Sequence, residues 1–260
     1  MAKLRKLANR TKEFETFLAM AKGQHDCRIL LIEGGSGMGK TSLLNRFRRE
    51  CPPDAHYVPF DCKGVESIAA FLSEVVTELG RDRFPQFTQK VRSFVQGGVD
   101  FSENDIAAEN TISIAINANV DAKTQEYRLA QLQEVFFADL RGFQQRAVIA
   151  LDTYQMASDS LKDWIESKWL REVGRRLENV VTIVAGQSIP EPDHSVWCDE
   201  CEHFSLEPIL DVAAWFEFCS EFSKDSSLSE DAVKAIALGC AGHPKNVHQM
   251  LSVVVKQWSA

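Results

Sequence analysis

The stretch that most constrains this chain is Gly34-Gly35-Ser36-Gly37-Met38-Gly39-Lys40-Thr41, which fits G-x-x-x-x-G-K-[ST] in full. It follows the apolar run "RILLIE" (28–33) and opens a segment with Leu43, Leu44 and Phe47 on one helical face. Strand, glycine loop and helix in that order form a phosphate-binding unit. The glycines let successive backbone N–H groups turn inward around a phosphate, and the helix N-terminus adds a positive dipole. Lys40 then reaches the β- and γ-phosphates, Ser42 stands in the first helical turn, and the Thr41 hydroxyl can ligate Mg²⁺.

The rest of the chain alternates in the same way. Residues 10–21 place Phe14, Phe17, Leu18 and Ala21 at helical spacing. "HYVPFD" (56–61), "AVIAL" (147–151) and "VVTIVA" (180–185) read as further strands, with helices over about 66–80, 126–143 and 159–178 between them. Strands alternating with helices imply crossover units and a mainly parallel sheet in three αβα layers. Residues 81–125 lack a strong period and read as an irregular insertion; the alternation around Ile112, Ile114 and Ile116 suggests a small hairpin. After Gly186 a turn-rich loop follows, and from Asp211 onward only helical patterns remain. The expected division is therefore an α/β nucleotide-binding domain over 1–207 and a small helical lid over 208–260.

"AVIAL" ends on Asp152, where a buried strand would present a carboxylate at the sheet edge beside the phosphate loop, to hold the Mg²⁺ shell. Asp152 also suits the N-cap of the following helix. Net charge is −8, which argues against a chain built to grip nucleic acid phosphates or an anionic membrane. The N-terminus lacks a signal-peptide core, no apolar run reaches the 18 or so residues of a membrane span, and seven scattered cysteines suit a reducing compartment. The sequence thus reads as cytoplasmic.

Taken together the motifs resemble the STAND class of P-loop NTPases, the NACHT and NB-ARC group related to AAA+ proteins, and especially its bacterial signalling and defence members. The matching residues are Asn9-Arg10-Thr11-Lys12-Glu13 before the first strand, Gly39 to Leu44, Asp152-Thr153-Tyr154, Ala185-Gly186, and Gly242-His243-Pro244 in the helical tail. The resemblance implies ATP or ADP with Mg²⁺ between the α/β core and the lid. Gly35 to Ser42, that is Gly35, Ser36, Gly37, Met38, Gly39, Lys40, Thr41 and Ser42, would then surround the phosphates, and Arg10 and Pro244 would lie near the base. It also implies effector and sensor elements, here on the same longer protein or on separate polypeptides.

Two positions depart from the family pattern: Gln155 stands for a glutamate and Gln187 for an arginine. Loss of a general base removes about 10²–10⁴ in rate, roughly 2.7 to 5.4 kcal/mol of barrier. Loss of an arginine on the γ-phosphate removes a further factor of order 10³–10⁵. Both changes spare binding, so the expectation is tight Mg-nucleotide binding with slow or absent hydrolysis, Gln155 retaining at most a weakened hold on water and Gln187 a place near the γ-phosphate.

The leading function is a nucleotide-controlled switch that governs association with an effector, a sensor or like protomers. The alternatives are an active AAA+-type ATPase that remodels a substrate, and a non-catalytic scaffold. "HSVWCDECEHF" brings His194, Cys198, Cys201 and His203 close in sequence, but the second half of a zinc pattern is absent there and the resemblance places a plain loop. The basic clusters at 46–50 and 171–176 read as solvated faces, and Trp164, Trp169, Trp215 and Trp258 as helix-packing residues.

Overall fold

A computed structural model describes residues 8–64, 67–95, 108–117, 120–193, 195–222 and 228–258. The elements are α1 (Thr11–Ala21), β1 (Ile29–Glu33), α2 (Lys40–Glu50), β2 (Ala55–Asp61), α3 (Ile68–Leu79), α4 (Pro85–Val95), α5 (Glu109–Asn117), α6 (Ala122–Arg141) and β3 (Arg146–Asp152). They continue with α7 (Asp159–Trp164), a π-turn over Ile165–Trp169, α8 (Leu170–Arg176), β4 (Val180–Gly186), β5 (Cys201–Ser205), α9 (Val212–Phe222), α10 (Glu230–Gly239) and α11 (Pro244–Trp258). The five strands form one parallel sheet in the order β2-β3-β4-β1-β5. The fold is thus an α/β P-loop NTPase with a helical C-terminal region.

Strand burial follows from the layers. β1, β3 and β4 are apolar because helices cover both of their faces. On one face α1 and α2 pack through Phe17 and Phe47, whose rings stack 4.2 Å apart. On the other, Phe71, Phe137, Trp164 and Trp169 build an aromatic block against the sheet. Trp169 is fully buried and satisfies its indole N–H on Thr182 Oγ1 of β4 at 3.0 Å. Caps set the helix starts: Ser67 Oγ accepts from Ala70 N–H, Asp121 from Thr124 N–H and Ser158 from Leu161 N–H.

Several sequence expectations change. Of residues 81–125, the stretches 81–83, 85–95, 109–117 and 122–125 are helical, with α4 and α5 in place of irregular chain and hairpin; 96–107 and 118–119 lie outside the described residues. The period is helical because Ile112, Ala115 and Ile116 are buried while Ile114 is 41 % exposed, which an alternating strand face would not allow. The segment 159–178 is helical without interruption over 159–176, as one helix that carries a π-turn at Ile165–Trp169 between α7 and α8. The loop after Gly186 holds a fifth strand, β5, paired with β1 and with no other strand among the described residues; as an edge strand of Cys, Glu, His, Phe and Ser it carries no buried-strand signature. No helix among the described residues is long and apolar enough to cross a membrane.

A nucleotide cavity between the sheet edge and the helical region

The strand order sets the site before any side chain is considered. β4 lies between β1 and β3, so the carboxyl ends of the three strands carry, side by side, the glycine loop, Gly186-Gln187 and Asp152. Ligands in open α/β sheets bind at this edge. Thr41 Oγ1 donates to Asp152 Oδ2 at 2.7 Å, and the other carboxylate oxygen accepts from Thr153 N–H at 2.8 Å. Thr153 adopts φ +57, a left-handed turn that takes the chain out of β3 directly after Asp152. The hydroxyl and carboxylate are hard oxygen donors of the kind that hold Mg²⁺, and they stand together as the sequence reading required.

Lys40 is half-buried, and its ammonium donates to the Gly34 and Gly35 carbonyls at 2.5 and 2.9 Å. Burial pulls its pKa down while Asp152 pulls it up. Gly37 and Gly39 have φ +79 and +93, which L side chains rarely adopt. At Gly39 a Cβ would meet nothing within 4 Å, so backbone shape alone demands the glycine. At Gly37 a Cβ would stand 2.5 Å from His243 Cε1 and 3.0 Å from Lys245 Cβ, so close approach of the helical region demands it as well.

That approach is a direct hydrogen-bonded contact. Lys245 N–H donates to Gly37 O at 3.1 Å, and His243 Nε2 lies 3.1 Å from Ser36 O. The carbonyl can only accept, so Nε2 carries the proton; Nδ1 is buried without a partner. Gly242 at φ +67 presses on the Ile209 carbonyl and makes the turn that aims α11 at the loop.

Arg10 closes the opposite wall. Its guanidinium donates to Glu207 O at 2.8 Å and Met38 O at 3.5 Å and pairs with Glu13 at 3.5 Å. Burial lowers its pKa, and Glu13 acts against that shift. One side chain thus ties α1, the phosphate loop and the link to the helical region together.

Between these walls lies a cavity of about 530 Å³, within the range of small-molecule sites. Arg10, Gly37, Met38, Gly39, Lys40, Thr41, Ser42 and Pro244 line it. Gly35 contributes through the Lys40 contact and Ser36 through the His243 contact. The far wall, Trp215, Phe218, Lys245 and His248, was not read from sequence. Trp215 keeps its packing role, donating its indole N–H to Ile209 O at 2.8 Å, but it faces the cavity too. Helical periodicity marks such residues as core; only the fold brings them opposite the glycine loop.

Gln155 and Gln187 stand outside the cavity lining and are joined to each other. Gln155 Oε1 accepts from Gln187 N–H at 2.9 Å, while Lys162 Nζ donates to the Gln155 carbonyl at 3.0 Å. The Gln155 side chain thereby braces the end of β4. Its approach needs Gly186, where a Cβ would stand 3.0 Å from Oε1 and 2.3 Å from Ser188 O. Tyr154 fixes the same turn by donating to Glu166 at 2.6 Å. Burial and this carboxylate hold the phenol far above its ordinary range.

His203, one of the histidines near the Cys-x-x-Cys pair, pairs with Glu33 at 3.6 Å. Cys198 and Cys201 lie at the start of β5, and His194 lies outside the described residues.

The sequence profile of the AAA ATPase domain family matches residues 6–182. No curated protein matches the chain by sequence. Among solved structures, the chain is similar to a Walker-type ATPase of Pyrococcus abyssi, with 17 % identity and a TM-score of 0.50 over 93 % of this chain and 66 % of that one. It is also similar to Cdc6p of Pyrobaculum aerophilum, with 13 % identity and a TM-score of 0.51 over 91 % and 56 %. The Orc1 protein of Aeropyrum pernix, solved in complex with DNA, matches at 13 % identity and a TM-score of 0.48 over 94 % and 58 %. At these identities the likeness is one of fold, and the chain spans two thirds or less of each of these structures.

Proposed function

Since this chain belongs to the AAA ATPase domain family, we propose that it is an Mg-ATP-binding switch of STAND type, in prokaryotic signalling or defence, with slow or absent hydrolysis. The observation that carries this reading is the contact between α11 and the phosphate loop, through Lys245 N–H on Gly37 O and His243 on Ser36 O. A ligand whose phosphates sit in the loop and whose base sits against Trp215 and Pro244 touches the two halves of one hydrogen-bonded assembly. Its occupancy therefore biases how the helical region sits, and through that the association with an effector, a sensor or a second copy. Such a ligand shifts the conformation only by its differential affinity for the two arrangements.

Thr41 and Asp152 are the oxygen donors that would hold Mg²⁺, which neutralises phosphate charge when bound. Lys40 holds the β- and γ-phosphates, exchanging its two loop carbonyls for phosphate oxygens. Slow turnover is supported by Gln155, an amide that cannot take a proton and whose oxygen is already engaged by Gln187 N–H. It is supported further by the absence of a cation at Gln187.

Calorimetric titration with Mg-ATP and Mg-ADP, a phosphate-release assay and mass measurement with and without nucleotide test this together. We expect binding that Lys40→Ala weakens at least 100-fold, turnover far below about 1 s⁻¹, the low end of ordinary enzymes, and a nucleotide-dependent change in assembly. Turnover above that rate without a partner would favour a remodelling ATPase. Nucleotide binding indifferent to Lys40→Ala would favour a scaffold.

A further inference from the structure

The Cys-x-x-Cys pair lacks the second half of a zinc pattern in sequence, and neither of its thiols joins the cluster of metal-type donors that the fold assembles beside it. β5 pairs with β1 in parallel, Ile29 opposite Cys201 and Leu30 opposite Glu202. The residues that lead into β1, His25 and Cys27, therefore lie against the start of β5. The ligand atoms of His25, Cys27 and Glu202 all fall within 4.8 Å of one another. His25 Nε2 is already 3.7 Å from Glu202 Oε1, and the Cys27 thiol points at the Asp199 carbonyl at 3.8 Å. All three side chains are partly buried.

We propose that His25, Cys27 and Glu202 form a binding site for a zinc-type divalent cation, at the end of β1 opposite the nucleotide cavity. One nitrogen, one sulfur and one carboxylate oxygen are the donors zinc accepts, with a fourth position left for water. A tetrahedral zinc holds its donors roughly 3.4–3.8 Å apart, so donors that lie within 4.8 Å of one another need to contract by at most about 1.4 Å. Soft thiolate and imidazole select zinc over Mg²⁺, so the cation of the nucleotide site does not compete here.

The surroundings favour a cation. The carboxylates of Glu202, Glu200 and Asp26 surround the Cys27 thiol with negative charge. Arg28 is engaged elsewhere, on Glu200 at 2.8 Å and on the Val173 and Gly174 carbonyls. Binding costs the thiol its proton, which leaves to solvent. At His25, Nδ1 accepts from Cys27 N–H at 3.1 Å, so the ring proton sits on Nε2. Ligation through Nε2 moves that proton to Nδ1 and releases the Cys27 amide, for a net release of one proton. The ion would clamp β5, which pairs with β1 alone among the described strands, to the turn after α1.

The test uses the full chain stripped of metal. Zn²⁺ is titrated against a chromophoric chelator, Mg²⁺ serves as the control, and Co²⁺ substitution reports thiolate ligation by its charge-transfer absorption. We expect one Zn²⁺ per chain, a raised melting temperature with Zn²⁺ but not Mg²⁺, and at least tenfold weaker binding in both His25→Ala and Cys27→Ser. The cobalt charge-transfer band should vanish in Cys27→Ser, while Mg-ATP affinity stays unchanged. Absence of a thiolate–cobalt band in the unmodified chain overturns the proposal. So does zinc binding that survives Cys27→Ser but is lost when Cys198 and Cys201 are both replaced by serine.

Discussion

Gln155 replaces by an amide the glutamate that the STAND resemblance implies, yet its oxygen holds the same backbone donor a carboxylate would hold. Gln155→Glu keeps the contact to Gln187 N–H and adds a base beside Asp152. Turnover in a phosphate-release assay should rise by about 10²-fold, the lower end of what a base contributes; an unchanged rate would mean that Gln155 does not limit hydrolysis. Gly37 makes a different demand, because it meets two requirements at once. Gly37→Ala forces a side chain into the left-handed region at roughly 1–2 kcal/mol and against His243. Mg-ATP affinity should fall about tenfold or more, and pairing the change with His243→Ala should restore only the steric part. A double-mutant cycle by calorimetry separates the two.

At the level of elements, the sheet was legible because its inner strands are mainly apolar runs, broken in β4 by Thr182 alone before its closing glycine. β1, β3 and β4 are covered on both faces, and nothing in their sequence competes with that reading. β5 was not legible because an edge strand needs no such run, and Cys201 to Ser205 alternate between partly buried and exposed. The π-turn between α7 and α8 was hidden because Leu161, Trp164 and Ile165 keep helical spacing on either reading. In the site, the glycine loop and Asp152 were legible from local order. Trp215, Phe218 and His248 were not, since their convergence on the loop is tertiary. The α1–α2 contact is where packing holds the loop in place: Phe47 is fully buried, stacks on Phe17, and lies two helical turns from Lys40. Phe47→Ala should cost about 3–5 kcal/mol, read as a shifted urea midpoint, and should loosen the start of α2 with it.

On the scale of the whole molecule, the helical C-terminal region carries a core cluster of its own beside the cavity. Ala8, Ile209, Trp215, Phe218, Val233, Val247 and Leu251 form the helical region's cluster, apart from the two clusters that sandwich the sheet. A chain ending at residue 207 keeps the glycine loop, Lys40 and Asp152 but loses Trp215, Pro244 and His248. It should still bind inorganic triphosphate while its preference for ATP over triphosphate collapses; equal ATP affinity in the two lengths would refute a shared site. The join between α11 and the phosphate loop also sets what mutagenesis can see. Lys245 reaches Gly37 through its peptide nitrogen, so exchanging its side chain, even for alanine, leaves that hydrogen bond standing. A conventional alanine scan would pass over the contact. Among the twenty amino acids only proline deletes the donor; in the first turn of α11 it removes no intrahelical hydrogen bond, and it moves the start of the helix past Pro244, which precedes it. Lys245→Pro thus cuts the seam at that donor, and comparing it with Lys245→Ala tells apart what the peptide bond transmits from what the ammonium contributes.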